Sequence, residues 1–354
     1  MPKNQSLIEE IPESSTQHQL IEDRSIDDNQ ISWQKLLANA IRDPAELLSL
    51  LKLDPRQLNK KHFNPQHFPL RVPHSFVKKM RIGDWNDPLL KQILPLEAEA
   101  NLTDGFQLDP VSDLKAISQK GILQKYSGRA LIMTTGACAI HCRYCFRQHF
   151  PYSAQQASKN EWRDIIKALA ADDSIHEVIL SGGDPLTLSD RRLQSLCKQI
   201  ADIPHITTLR FHTRLPLVLP ERIDAHFMQW FSSLTLQKVM VIHANHANEF
   251  CENTRTALMQ LHQSGTLLLN QSVLLKGIND TAEDLIALSN TLLAHQVLPY
   301  YLHLLDRVQG AAHFEVDATQ ALLLMQKLRN ALPGYLVPKL VRETSGERSK
   351  TPIN

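Results

Sequence analysis

The sequence ALIMTTGACAIHCRYCFRQ, residues 130–148, decides the fold, because it joins a short apolar run to a loop with three closely spaced cysteines. Residues 130–134 have the length and apolar character of a buried β-strand. Cys138, Cys142 and Cys145 then fall within eight positions. Clustered cysteines in a reducing compartment favour metal binding or catalysis over disulfide bonds. The stretch therefore predicts a metal-binding loop directly after a strand.

Further short apolar runs follow this strand, and longer amphipathic segments separate them. The runs are EVIL (177–180), TTLRF (207–211), KVMVI (238–242), LLLNQSVLL (267–275) and YYLHLL (300–305), with helical patterns such as Glu161–Ala171 and Ala282–Ala294 between them. Alternation of strands and helices favours βαβ units and a parallel sheet. We therefore predict an α/β fold, a partial (β/α)6 barrel over residues 111–335, with a last strand near Tyr335–Val341. Residues 336–354 form a C-terminal segment.

The N-terminal part differs in character from the barrel. Residues 1–30 are polar, with little periodicity, which predicts a mobile leader. Residues 31–110 predict a helical accessory region, with an N-cap at Asp28 and apolar residues at helical spacing up to Ile41. Asp43-Pro44 is expected to end that helix before a second one at Leu47–Leu51.

The composition excludes several classes of protein. Hydrophobic residues make up 43% and charged residues 21%, and 38 basic against 37 acidic side chains give a formal charge of +1. The sequence has no excess of basic residues that would indicate nucleic-acid binding, and no apolar stretch is long enough to span a membrane. The N-terminus lacks the apolar region of a signal peptide. We expect a cytoplasmic protein without nucleic-acid or membrane partners.

Polar side chains follow the predicted strands. Ser181, Gly182, Gly183 and Asp184 come directly after EVIL, and His212, His243 and Asp306 end later runs. In (β/α) barrels the active site lies at the carboxyl ends of the strands. Residues that only form turns would give the same pattern at any single position. Together they predict a site on one rim of the barrel.

The three cysteines can bind metal in two ways. Three thiolates from one loop can hold three irons of a [4Fe–4S] cluster and leave the fourth iron open to an outside ligand. A structural zinc site with His141 or His149 as fourth ligand is the alternative. Cys197 and Cys251 lie in helical patterns and are interpreted as small buried side chains.

The cysteine spacing, with Tyr144 before the third cysteine, resembles the signature of the radical S-adenosylmethionine (SAM) superfamily. In that superfamily the open iron binds the amino and carboxylate groups of SAM. The segment Ser181–Asp184 resembles the one that holds the methionine amino group. His243 and Gln271 resemble SAM-contacting residues of the aminomutases.

Eight segments narrow this resemblance to one family. They are KYSGRALIMTTGACAIHCRYCFRQHF, VILSGGDPL, TRLPLVLPERI, HANHANE, NQSVLLKGIND, PYYLHLLD, HF and SKTP, between about Tyr126 and Pro352. Their order is similar to that in the lysine 2,3-aminomutases. The resemblance implies a radical SAM type of partial barrel.

The resemblance also implies a site for pyridoxal 5′-phosphate (PLP). Lys350 in Ser349-Lys350-Thr351-Pro352 matches the lysine that forms the Schiff base with PLP. Tyr126 and Arg129 match positions that hold the PLP phosphate. Lys125 stands where the family usually has arginine, and a lysine binds phosphate as a point charge.

Three further positions match the substrate-binding residues of the family. Arg147 resembles the arginine that binds the substrate carboxylate. Asp306 and Glu343 match the two acidic positions that hold the ε-ammonium of lysine, although the second is usually aspartate. His303 replaces a tyrosine that is usual near PLP.

The implied activity is that of an isomerase, an L-lysine 2,3-aminomutase, which converts α-lysine to β-lysine through a 5′-deoxyadenosyl radical acting on lysine held as a PLP aldimine. The chain stops at Asn354, without the zinc-binding tail of the catabolic enzymes, so no metal site beyond the cluster is expected. This resembles the bacterial branch that supplies β-lysine for modification of elongation factor P. It implies a functional link to an elongation factor P lysyl ligase, and an electron donor such as flavodoxin or ferredoxin. The alternatives are a radical SAM enzyme or aminomutase acting on another amino acid, and a structural zinc-binding module.

Overall fold

The computed structural model describes residues 32–54, 56, 68–155 and 162–354. The mobile leader predicted for residues 1–30 lies outside these residues. Among the helices of the described ranges, none has both the length and the apolar character needed to cross a membrane.

A sheet of ten strands, whose spatial order follows the order in the chain, organises the fold. The strands are β1 (Ile117–Gln119), β2 (Ile122–Leu123), β3 (Arg129–Thr135), β4 (Glu177–Gly182), β5 (Thr208–Thr213), β6 (Gln237–Ile242), β7 (Leu267–Val273), β8 (Leu298–His303), β9 (Lys339–Arg342) and β10 (Thr351–Pro352). Neighbouring strands from β3 to β9 pair in parallel, while β1, β2 and β10 pair antiparallel at the two edges. The sheet is not closed, which confirms the predicted α/β fold with a partial barrel.

Helices connect the parallel strands, as right-handed βαβ units require. The helices are α1 (Trp33–Ala38), α2 (Pro44–Leu50), α3 (His74–Val77), α4 (Pro88–Lys91), α5 (Tyr152–Gln155), α6 (Trp162–Ala171), α7 (Asp190–Ala201), α8 (Leu215–Val218), α9 (Ala225–Ser232), α10 (Glu252–Gln263), α11 (Ala282–Ala294) and α12 (Ala318–Ala331). All six apolar runs form strands, and the predicted helix Ala282–Ala294 is α11.

Predicted bounds of three elements were wrong. Helix α1 begins after Ser32, which is its N-cap instead of Asp28, and it ends at Ala38 rather than continuing to Ile41, because Ile41 pairs with Val72 in an isolated β-bridge. Helix α2 begins at Pro44, three positions before the predicted Leu47, because Asp43 caps it and proline is well suited to the first helical position. The last parallel strand begins at Lys339 rather than Tyr335, because a short 3₁₀ helix, Gly334–Leu336, and Pro338 precede it.

The N-terminal helices pack on the barrel. Trp33, Leu47 and Phe76 are buried in the same hydrophobic core as barrel residues such as Phe211. The Arg222 guanidinium lies 4.5 Å from the centroid of the Trp33 ring. The described part of the accessory region therefore shares a core with the barrel.

The C-terminal segment also joins the sheet. Strand β9 pairs in parallel with β8, and β10 returns antiparallel to β9, with Thr351 opposite Arg342. Lys350 directly precedes β10. This pairing carries the predicted PLP lysine back to the carboxyl ends of the parallel strands.

Two Asp-Pro helix starts give a matched stability test. Buried Asp87 accepts hydrogen bonds from the backbone N–H groups of Leu89, Leu90 and Arg81 at 2.8, 2.9 and 3.0 Å. Exposed Asp43 accepts one, from Ala45 at 2.9 Å. We predict that Asp87→Ala lowers the free energy of unfolding by roughly 2 kcal/mol and Asp43→Ala by about 0.5 kcal/mol. Urea unfolding midpoints measure both, and equal losses would contradict the prediction.

Candidate active site

A single cavity of about 670 Å³ lies at the carboxyl ends of the parallel strands. It is lined by all 16 site residues predicted from the sequence, and also by His212 and His303. The cysteine loop after β3 forms one end of the lining, and the segment before β10 contributes Lys350. The fold thus brings residues more than two hundred positions apart into one space.

The three cysteines of the loop face this cavity as free, partly buried thiols. Burial, together with the other two cysteines and Asp184, raises the pKa of Cys138 well above its ordinary value. Burial and the neighbouring Cys142 raise the pKa of Cys145 to about 12. As thiolates, three side chains from one loop would need a compensating positive charge, which the irons of a cluster supply. This donor set fits an iron–sulfur cluster.

Gly182, the last residue of β4, and Gly183, which follows it, hold the cysteine loop against the sheet. The N–H of Gly183 donates to the carbonyl of Thr135 at 2.7 Å, and the N–H of Asp184 donates to the carbonyl of Ala137 at 2.8 Å. A Cβ added at Gly183 would overlap the carbonyl of Ala137, and one at Gly182 would overlap that of Thr135. The backbones can approach this closely only because neither residue carries a side chain.

Asp184 joins the ends of β4 and β5. Its carboxylate accepts hydrogen bonds from the Thr213 hydroxyl at 2.7 Å, the Arg214 N–H at 2.8 Å and the Leu186 N–H at 3.0 Å. Burial raises the pKa of Asp184 to about 6. Protein donors therefore already satisfy both oxygens, although a carboxylate can accept further hydrogen bonds.

His243 directly follows β6 and is half-buried in the site. Burial, helped by the positive charge of Arg214, lowers the pKa of His243 to about 3. Its Nε2 lies 3.1 Å from the Tyr144 hydroxyl, and the two rings stack with centroids 5.7 Å apart. Gln271 on β7 lines the same cavity. Both residues present neutral hydrogen-bonding groups to the cavity.

Lys350 forms an ion pair with Glu343, a contact that the sequence did not predict. The Lys350 Nζ lies 2.9 Å from Glu343 Oε2. The other carboxylate oxygen, Oε1, accepts from the Tyr126 hydroxyl at 2.7 Å and from Lys125 at 3.3 Å. Burial raises the pKa of Glu343, but the positive charges of Lys350 and Lys125 lower this pKa to below its ordinary value. Glu343 is therefore ionised and already neutralised by protein cations.

Asp113 continues this network, and sequence reasoning missed it. Its carboxylate lies 2.7 Å from Lys125 Nζ and 2.6 Å from Arg147 Nε. Arg147 also donates to the Ser181 hydroxyl at 3.3 Å. Asp113 belongs to a short 3₁₀ helix before β1, outside any recognisable motif. No signal in the sequence distinguishes it from an exposed acidic residue.

Besides Asp184, which backbone and hydroxyl donors satisfy, two charged side chains of the cavity make no ion pair within the described ranges. Burial raises the pKa of Asp306 to about 7, and no side chain there donates a hydrogen bond to its carboxylate. The Arg129 guanidinium lies 5.5 Å from the centroid of the Tyr126 ring and has no carboxylate partner there. His212, also in the cavity, has a buried Nε2 without a partner. An anion beside Arg129 and a cation beside Asp306 would complete these groups, so PLP and an ammonium fit.

The comparison with known proteins defines first the class and then the family. The family model described as the radical SAM superfamily matches residues 132–229, which contain the three cysteines. The L-lysine 2,3-aminomutase of Escherichia coli (strain K12) is 46% identical over 323 residues, covering 91% of this chain and 94% of that protein. The L-lysine 2,3-aminomutase of Haemophilus influenzae (strain ATCC 51907 / DSM 11121 / KW20 / Rd) is 44% identical over 320 residues, covering 90% and 95%. The chain belongs to the lysine 2,3-aminomutase family of radical SAM proteins.

Solved structures resemble the chain more distantly. A radical SAM methyltransferase from Sphaerobacter thermophilus aligns with 62% of this chain and 68% of its own, at a TM-score of 0.43 and 13% identity. Family membership, rather than this likeness, decides between the two interpretations of the three cysteines. It favours the iron–sulfur cluster over the zinc module.

The glycine contact gives a direct test of the loop geometry. We predict that Gly183→Ala forces the cysteine loop away from β4, so that reconstituted protein retains little cluster. Gly334→Ala is the control, because an added Cβ there meets no atom within 4 Å. Iron and sulfide content after anaerobic reconstitution measures the effect. Full cluster content in Gly183→Ala would contradict the prediction.

Proposed function

We propose that this chain is an L-lysine 2,3-aminomutase, an isomerase that moves the α-amino group of L-lysine to C3 and forms β-lysine. One observation carries the proposal: a single cavity brings together the three cysteines, Lys350 and the unpaired carboxylate of Asp306. Both named relatives are L-lysine 2,3-aminomutases. The cavity is also of a size that holds small molecules and cofactors.

The cofactors are those of the family, a [4Fe–4S] cluster, SAM and PLP. Cys138, Cys142 and Cys145 would hold the cluster, and Lys350, with Lys125, Tyr126 and Arg129, would hold PLP. The segment Ser181–Asp184, together with His243 and Gln271, would contact SAM. When bound, these groups supply a radical that removes hydrogen from C3 and a carbonyl that carries the amino group. The protein residues orient them and limit access of water.

Arg147 would bind the substrate carboxylate. Asp113 holds its Nε at 2.6 Å, and the Ser181 hydroxyl accepts from its NH1 at 3.3 Å. A guanidinium has five N–H donors in a fixed plane, so donors remain for a carboxylate. Asp113 thus positions Arg147 for that contact.

The two predicted ammonium-binding acids are unequal. Glu343 Oε2 lies 2.9 Å from Lys350 Nζ and would orient this amine before it attaches PLP. Among the described acids that line the cavity, Asp306 is the one whose carboxylate has no protein partner, and we propose that it makes the first contact with the ε-ammonium. Once Lys350 is attached to PLP and no longer pairs with Glu343, Glu343 can also pair with that ammonium.

Three broader proposals rest on the resemblance alone. β-Lysine would serve the modification of elongation factor P, with a functional link to a lysyl ligase. A donor such as flavodoxin or ferredoxin would supply the electron that starts the reaction. The protein would act in the cytoplasm.

An anaerobic assay tests the activity directly. Reconstituted protein is incubated with L-lysine, SAM, PLP and a reductant, and the products are separated by chiral chromatography. We expect β-lysine from the wild type and none from Cys138→Ala, because an iron loses its thiolate. Absence of β-lysine from protein with full cluster and PLP would overturn the proposal, and another amino acid turned over instead would identify a different aminomutase.

The PLP attachment predicts a covalent readout. After borohydride reduction, the wild type should gain the mass of one PLP on Lys350, located by peptide mapping. Lys350→Ala should lack this adduct and keep its cluster, because the cysteines lie in another segment. An adduct of unchanged yield in the variant would mean that a different lysine binds PLP.

Asp306→Asn should weaken recognition of the lysine tail. Removing one partner of a buried charge pair costs roughly 2–5 kcal/mol, which is about thirty-fold to several-thousand-fold in affinity. Norleucine, which lacks the ammonium, should be affected little. The measurement is the lysine-to-norleucine ratio of kcat/KM, with cluster and PLP content as controls. An unchanged ratio would show that Asp306 does not contact the tail.

The raised pKa of Asp306 adds a pH dependence. The carboxyl, with a pKa of about 7 before lysine binds, must lose its proton to pair with an ammonium. The lysine-to-norleucine ratio should therefore fall as the pH is lowered from about 8 to 6, where Asp306 becomes protonated. Asp306→Asn should show a flat ratio over this range. A wild-type ratio independent of pH would contradict this assignment.

A further inference from the structure

Arg214 is a buried residue at the end of β5 to which the sequence gave no role. Its NH1 group donates to Cys142 Sγ at 2.7 Å and to the Tyr144 hydroxyl at 2.8 Å. Its NH2 group donates to Gln92 Oε1 at 2.6 Å and to Glu249 Oε2 at 2.9 Å. The guanidinium therefore bridges one cysteine of the cluster loop and a buried carboxylate.

Backbone hydrogen bonds also hold the Glu249 side chain in place. It is completely buried, and its Oε1 accepts from the backbone N–H groups of Asn245 at 2.8 Å and His246 at 3.2 Å. Glu249 and Arg214 come from the segments after β6 and β5, so two barrel loops hold the ion pair beside Cys142. Buried charges of this kind are retained only where they are paired and hydrogen-bonded.

We propose that Arg214 is a positioning residue for the iron–sulfur cluster: its charged N–H group donates to the sulfur of Cys142 and, balanced by Glu249, sets how readily the cluster accepts an electron. The inference rests on the proposed function, because it requires the cluster on Cys138, Cys142 and Cys145. It goes beyond that function by assigning a residue that controls the reduction step.

Charge and hydrogen bonding give the direction of the effect. Hydrogen bonds to cluster sulfurs and the net charge nearby set the reduction potential. A cation close to the cluster stabilises the reduced state, which carries one more electron, and an anion disfavours it. Arg214 and Glu249 therefore act in opposite senses on the same potential, although each stabilises the other in the fold.

Two variants of this one ion pair test the proposal. Arg214→Gln removes the cation and leaves Glu249, so the midpoint potential of the bound cluster should fall. Glu249→Gln leaves the cation without its counter-charge, so the potential should rise. Potentials are measured by anaerobic redox titration followed by electron paramagnetic resonance, with iron and sulfide content determined for each protein.

Arg222→Gln is the matched control. Arg222 is also fully buried and pairs with Asp190 at 2.8 Å, but neither residue lines the cavity. Its loss should lower stability and leave the potential unchanged. This control separates a general loosening of the fold from an effect on the cluster.

Opposite shifts in the two variants support the proposal. Shifts in the same direction, or unchanged potentials with full cluster content, overturn it. If Arg214→Gln yields no folded protein, Glu249→Gln decides alone, and an unchanged or lowered potential overturns the proposal. A wild type that binds no cluster would instead contradict the proposed function, so the two failures are distinguishable.

Discussion

An ion-pair chain runs from Lys350 through Glu343, Lys125 and Asp113 to Arg147, and it links the C-terminal strand to the cysteine loop. Each carboxylate in this chain touches two cations, and the cations alternate with the acids. Removing any member leaves a neighbouring charge poorly solvated, which is costly away from water. The arrangement therefore fixes the distance between the predicted PLP lysine and the predicted carboxylate-binding arginine.

Two charged side chains of the cavity that lie outside this series of ion pairs indicate what the cavity can bind. Arg129 and Asp306 have no ion-pair partner among the described residues, and they have opposite signs. A phosphate and an ammonium are the groups that would neutralise them. An amino acid with a cationic tail, carried by a phosphorylated cofactor, has both.

Much of this fold could be predicted from the sequence, because buried faces of strands and helices give apolar residues a characteristic periodicity. All six apolar runs became strands, and helix α11 has the predicted bounds. The site residues predicted from the motifs also line one cavity. Partners could not be predicted: Asp113 and Arg214 carry no motif, and their roles arise from contacts with residues far along the chain.

The same limit explains why the ion pair between Glu343 and Lys350 was not predicted. A family pattern assigns an acid at this position to the substrate, but the pattern does not contain the side chain that faces it in the absence of substrate. Here Lys350 lies 2.9 Å from it. Motifs record which residues a site contains, whereas the division of charge among them depends on the tertiary arrangement.

The central claim is that the cluster loop, Lys350 and the lysine-binding acids serve one reaction in one cavity. L-lysine deuterated at C3 tests it, with SAM recovered after turnover and its 5′ carbon analysed by mass spectrometry. If the sites share the cavity, deuterium should appear at that carbon in the wild type as β-lysine forms. Formation of β-lysine with no deuterium in the recovered SAM would contradict the claim.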